Sequence, residues 1–169
     1  MNEVGYKYYL KNTTADFITV KASELKIKYG VSLTDANRIK GPHPLLASNG
    51  ISDYVSLHNA ENVICFGCRG TLGNVFYQSG KCFILNTAFY INNPTNYGPI
   101  YFALLHEHGL NIYQSGAAQP QITMDAIKDA IIKLPKSNKL NKVLDCISTY
   151  KKQISCLTKI KSLLLSKYF

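Results

Sequence analysis

ICFGCRGTLGNVFYQSGKCFILNTAFYI, residues 64–91, is the stretch from which the fold is read. Val63-Ile64-Cys65-Phe66, Asn74-Val75-Phe76-Tyr77 and Cys82-Phe83-Ile84-Leu85 are each rich in β-branched and aromatic residues. The first two meet through Arg69-Gly70-Thr71-Leu72-Gly73-Asn74, and a second break falls at Gln78-Ser79-Gly80-Lys81. Both breaks hold residues that tolerate tight turning or positive φ. The pattern predicts a β-meander.

The first turn is also chemically distinctive. Its glycines let a backbone approach a ligand closely, while Arg69, Thr71 and Asn74 offer groups suited to phosphate oxygens or base edges. A hairpin whose glycines serve only the turn is the plainer alternative, and residue types alone leave both open.

The 169 residues suit one domain with an appendage, and 46% apolar residues supply a core. Nineteen Lys and Arg against ten Asp and Glu give +9, a balance that favours a polyanionic partner or simple solubility. The apolar runs are all shorter than the roughly 18 residues a membrane helix needs, and MNEVGYKYYL lacks the basic-then-apolar order of a signal peptide. A cytoplasmic location follows as the expectation. Five cysteines are then read as reduced thiols, with Cys82, Cys146 and Cys156 as core or seam hydrophobes.

Working outward, Tyr6–Leu10 and Phe17–Lys21 read as strands around the loop Asn12–Asp16, and Ala22–Leu25 as one helical turn. Lys26–Leu33 alternates as a strand, and Arg38–Pro44 is a basic segment that two prolines keep extended. Ser48-Asn49-Gly50-Ile51 is a turn signal, continued by Asp53–Ser56. Asn92–Pro99 reads as an exposed loop. Ile100–Leu110 is helix-like, with an apolar face at Ile100, Ala103 and Leu104 and a stop at Gly109. After the loop Ser115–Gln121, Thr123 caps a short helix with Ala126, Ile127, Ala130 and Ile131 on one side, ended by Pro135.

From Lys139 to Lys167, apolar residues recur at Leu140, Val143, Ile147, Tyr150, Ile154, Leu157, Leu164 and Tyr168, interrupted by Lys161. This 4-3 alternation without Gly or Pro predicts a helix of roughly 40 Å that pairs with another helix; the alternative is a long helix lying on its own domain. The expected division is a recognition domain over 1–135 and a pairing helix over 136–169. The expected class is α+β: a twisted, largely antiparallel β domain with short helices, followed by that long helix.

Catalytic signatures are weak. Cys65-x-x-Cys68 with His106-x-His108 lacks zinc-site spacing, and the Cys pair opens a Gly-rich turn where a redox motif would open a helix. Gly80-Lys81-Cys82 lacks the rest of a phosphate loop, and Asn93-Pro94-Thr95-Asn96-Tyr97 departs from the Asn-Pro-Pro-Tyr signature of adenine methyltransferases. Carboxylates are too scattered to hold a nuclease magnesium. His43 and His58 read as exposed polar residues. No cofactor, metal or catalytic residue is expected; the chain reads as a binder.

Five motifs, taken in order, resemble the target recognition domain of type I restriction-modification specificity (S) subunits. They are Lys28–Ser32, Gly41–Ile51, Arg69–Tyr77, Asn86–Ile91 and Gly116–Ile122, and the C-terminal helix resembles the family's spacer helix. The likeness covers about residues 25–169; each motif alone is weak, and the order carries it. In that family two recognition domains, held apart by an antiparallel helix pair, each read half of a bipartite site, and methyltransferase and nuclease subunits assemble on them. The resemblance therefore implies a non-catalytic DNA-recognition subunit. With one domain and one helix, this chain corresponds to half of an S subunit, a homodimer through the helix or a half with another partner. Leu134-Pro135 stands where the family has a longer proline-rich stretch.

Candidate DNA contacts are Arg38, Lys40, Ser48, Asn49, Arg69, Thr71 and Asn74. The Gly-rich motifs are assigned to fold and backbone contact, and base reading to loops at 12–16, 52–59, 78–81 and 92–97. The helix length corresponds to about one turn of DNA between two recognition domains. The competing readings are a recognition module of a fused methyltransferase-nuclease, and a helix-pairing structural protein with no DNA role.

Overall fold

The computed structural model describes residues 6, 7, 9–11, 16–137 and 139–168. The protein is α+β, with a six-stranded mixed sheet, a two-stranded ribbon, short helices and one long C-terminal helix. The large sheet contains β2 (Lys28–Tyr29), β3 (Lys40–Ala47), β4 (Gly50–Val55), β5 (Ala60–Gly67), β6 (Val75–Ile84) and β7 (Ala88–Asn92). Its order is β2-β7-β5-β6-β3-β4. Every pairing is antiparallel except β3 with β6. The ribbon joins β1 (Phe17–Lys21) to β8 (Ile131–Pro135).

The central meander is corrected. β5 and β6 form the expected hairpin, but β7 pairs with the other edge of β5, Ile64 opposite Ile91, because β3 occupies the outer edge of β6. The expected break at Gln78–Lys81 is absent, and β6 runs through it. Gly80 takes φ +81, Asn62 φ +49, and the Gly80 amide donates to Asn62 Oδ1 at 2.8 Å. The irregularity is absorbed as a register shift between Glu61 and Val63, as in a β-bulge.

Other departures have equally local causes. Tyr6, Lys7 and residues 9–11 are helical where a strand was expected, because an i, i+3 spacing sets Tyr6 and Tyr9 together against the His106 ring. Tyr8 and the loop residues 12–15 lie outside the described residues. The 26–33 strand shrinks to Lys28–Tyr29 plus a bridge at Val31, since Lys26 turns left-handed at φ 52. Asn92 ends β7 and Tyr97 already opens a helix, so the 92–99 loop is shorter than expected.

Among the described residues after the N-terminal helical segment, the α-helices are α1 (Tyr97–His106), α2 (Met124–Ile127) and α3 (Lys139–Tyr168). The Thr123 hydroxyl caps α2 by accepting from the Ala126 amide, but the helix stops at Ile127. Ile131–Pro135 instead alternates exposed and buried and pairs with β1. One face of the sheet, α1, β8 and the root of α3 share a core that includes Phe66, Phe89, Phe102, Leu104, Ile132, Leu140 and Leu144. α3 lies on its own domain at its root alone. Leu140 and Leu144 are buried against its own domain, while Tyr150, Ile154, Leu157 and Leu164 are exposed. Cys82 is buried as expected; Cys146 and Cys156, on α3, are exposed. Among the described residues no helix is long and apolar enough to cross a membrane.

Candidate nucleic-acid interface

Segments far apart in sequence meet at one end of the sheet, around the turn 85–87. The Leu85 amide donates to Leu46 O at 2.9 Å, Val31 to Ile84 O at 3.0 Å, and Gly30 to Ala88 O at 3.0 Å. Thr87 is the hub. Its carbonyl accepts from the Cys68 and Arg69 amides at 2.9 and 3.2 Å, and its hydroxyl from the Ser48 amide at 3.3 Å. The Ile122 amide donates to Cys68 O at 2.8 Å, and Gln121 bridges Arg69 and Ser115. Asn86 Nδ2 donates to Ser32 Oγ at 2.9 Å. All five sequence motifs thus contribute to one hydrogen-bonded cluster.

The glycines serve this close packing. A β-carbon on Gly67 would lie 2.1 Å from Thr71 O and 3.1 Å from Ser48 Cβ. Gly70 and Gly73, at φ +74 and +84, turn the loop back over the cluster. The turn chemistry and the structural role of the glycines are therefore compatible: a fixed backbone presents Arg69, Thr71 and Asn74 to solvent.

Of the seven candidate contacts, Ser48, Asn49, Arg69, Thr71 and Asn74 come together here. Ser48 is 9% exposed and engaged within the cluster, whereas Asn49 on the same β3–β4 turn is exposed. Arg38 and Lys40 do not join them. They lie at the opposite end of β3, where the Ser56 amide donates to Ile39 O, and Arg38 pairs with Asp35 at 3.5 Å. An eight-residue strand separates the two ends by about 25 Å. Sequence reasoning missed Asn111 and Gln121, which flank the turn; the Gly116–Ile122 motif was the signal for Gln121.

Cys65 and Cys68 are both buried, and burial raises both thiols, Cys68 to about 11 despite the opposing pull of Arg69. Protonated and enclosed, they act as packing groups. Among the described residues no three His, Cys, Asp or Glu side chains are grouped to hold a metal ion. His43 is half-buried and its ring lies 5.0 Å from that of the exposed His58.

A second concavity, of about 860 Å³, opens between α3 and the sheet. Ile51, Tyr54, Phe76 and Tyr77 face Lys151, Lys152 and Lys159 across it, and Lys152 Nζ donates to Ser79 Oγ at 2.9 Å. The helix root is held by polar contacts. Asn141 Oδ1 accepts from the Gly98 amide at 2.8 Å, its Nδ2 donates to Thr95 O at 3.1 Å, and the Tyr97 hydroxyl donates to Asp145 Oδ2 at 2.6 Å.

A clustered, glycine-shaped turn on an α+β domain with a projecting helix describes a recognition module, and comparison with known proteins places it. The type I restriction modification DNA specificity domain model matches residues 6–165, and the chain belongs to that family. The fold is similar to a type I restriction-modification S subunit from M. genitalium, at 15% identity and TM-score 0.67, covering 85% of this chain and 41% of that one. It is also similar to the HsdS subunit from Thermoanaerobacter tengcongensis, at 14% identity and TM-score 0.54, covering 93% and 46%. A third likeness, to a chain in a structure of type I R-M system assembly and conformational transition, has TM-score 0.56 and 14% identity, covering 95% and 48%. The chain spans less than half the length of each of these structures. No curated protein matches it.

Proposed function

We propose that this chain is a non-catalytic DNA-recognition unit of a type I restriction-modification specificity subunit, reading one half of a bipartite site from the cytoplasm. The observation that carries the reading is the convergence of five segments behind the exposed turn of Arg69, Thr71 and Asn74, inside a chain of the DNA specificity family. Arg69 and Asn49 contact the duplex, Thr71 and Asn74 reach backbone or base edges, and Ser48 positions the turn. Arg38 and Lys40, about seven base pairs away along β3, contact flanking phosphates.

The division into a recognition domain over 1–135 and a spacer helix over 136–169 belongs to this reading, with the helix root shared between them. Tyr150, Ile154, Leu157 and Leu164 form the exposed seam for a second helix, in a homodimer or with another half-subunit. The methyltransferase subunit docks along α3 and the groove beside it, and a nuclease subunit joins that assembly. Family membership disfavours a structural helix-pairing protein. A fused methyltransferase-nuclease module shares the recognition chemistry and differs in partners.

The test is fluorescence anisotropy of the full chain on duplex DNA over a range of salt. Tight binding that weakens linearly in log–log form supports the reading. Negligible, salt-insensitive binding contradicts it.

A further inference from the structure

We infer that Ile112 is a specificity-determining residue that reads the 5-methyl group of a thymine, an inference that rests on the DNA reading above. Ile112 is 71% exposed, more than any other large apolar side chain among the described residues. Lone exposed apolar residues are ordinary on protein surfaces. What sets this one apart is how it is held.

Ile112 lies in the 3-10 segment His108–Tyr113, where His108, Gly109 and Leu110 adopt φ 47, 59 and 61 in succession. Left-handed residues normally occur singly, because a β-carbon crowds the following carbonyl there. Two of these three carry one. Leu110, 2% exposed, anchors the turn in the core, and Gly109 lies over Phe66 and Gly73, where a β-carbon would be in ordinary contact at 3.4 Å from Phe66 Cβ and 3.6 Å from Gly73 Cα. The reversal sends Leu110 inward and Ile112 outward.

Both flanks of Ile112 approach the 69–74 turn, the later one through hydrogen bonds. Before it, Asn111 Nδ2 lies 3.4 Å from where a Gly73 β-carbon would sit. After it, Ser115 pairs with Gln121, which bridges Arg69. Arg69 and Asn74 on that turn, and Gln114 and Gln121 on the segments beside it, are exposed and carry polar groups that answer the donors and acceptors of base edges. They offer nothing to an apolar group. In the major groove the apolar group is the thymine methyl, and an outward-facing isoleucine on a segment joined to the polar turn complements it.

The full chain is used to select duplexes from a random library, and the selected duplex is remade with each thymine replaced in turn by deoxyuridine. The inference predicts one thymine whose demethylation weakens binding about fourfold, the burial value of one methyl group. In Ile112→Ala the same replacement has no effect. A selected site without thymine, no responsive position, or an equal response in the variant overturns the inference while the DNA reading stands. If no sequence is enriched, the DNA reading fails and the inference fails with it.

Discussion

Arg69 is the cation of the exposed 69–74 turn, with its backbone fixed by Thr87 and Gln121. Arg69→Ala is predicted to weaken duplex binding about tenfold and to lower the salt slope by about one, read by anisotropy titration at several salt concentrations. Gly67→Ala acts through the fold. Its β-carbon would meet backbone at Thr71, so thermal or denaturant unfolding should show a loss of about 1–3 kcal/mol. Tyr97 gives a pH signature. Burial first, and then its hydrogen bond to the Asp145 carboxylate, push its phenol from 10.0 to about 12. Below pH 10 both folded and unfolded chains hold the proton. Between 10 and 12 only the unfolded chain releases it, so stability falls as pH rises through that window. Tyr97→Phe should flatten the fall, as measured by denaturant melts across the range.

At the level of elements, α3 divides into a buried root and an exposed remainder. Leu144→Ala at the root should cost about 2–5 kcal/mol in domain stability, measured by denaturant unfolding. Changing Tyr150, Ile154 and Leu157 together to Ala should leave that stability unchanged and abolish pairing, measured by light scattering. The helix was legible because its seam repeats over many turns, yet Leu144, outside that seam, turned out to be a root residue because α1 packs against the helix there. β5 and the β3–β4 turn were also legible, from local composition and Asn-Gly. The strand order was not, since β7 reaches β5 through long-range pairing that no local pattern encodes. Tyr6–Leu10 misled because aromatic composition favours a strand, while packing against His106 favours a helix. The turn 69–74 was legible as a Gly-rich turn between two strands; its separation from Arg38 and Lys40 depended on the direction of β3.

At the scale of the molecule, a +9 chain presents a polar end at the 69–74 turn, a lysine-rimmed groove and a helix with an exposed apolar seam. In the proposed function each surface has its own counterpart: DNA for the first, a partner subunit for the second, a second helix for the third. The central claim is sequence-specific DNA recognition by the turn end. It is tested most directly by comparing the affinity of the full chain for a selected duplex and for its scrambled version, across salt. The account predicts a preference of at least about a hundredfold for the selected duplex on top of a salt-dependent background shared by both, with Arg69→Ala weakening the two duplexes about equally. Equal affinity for the two duplexes at every salt concentration would contradict it.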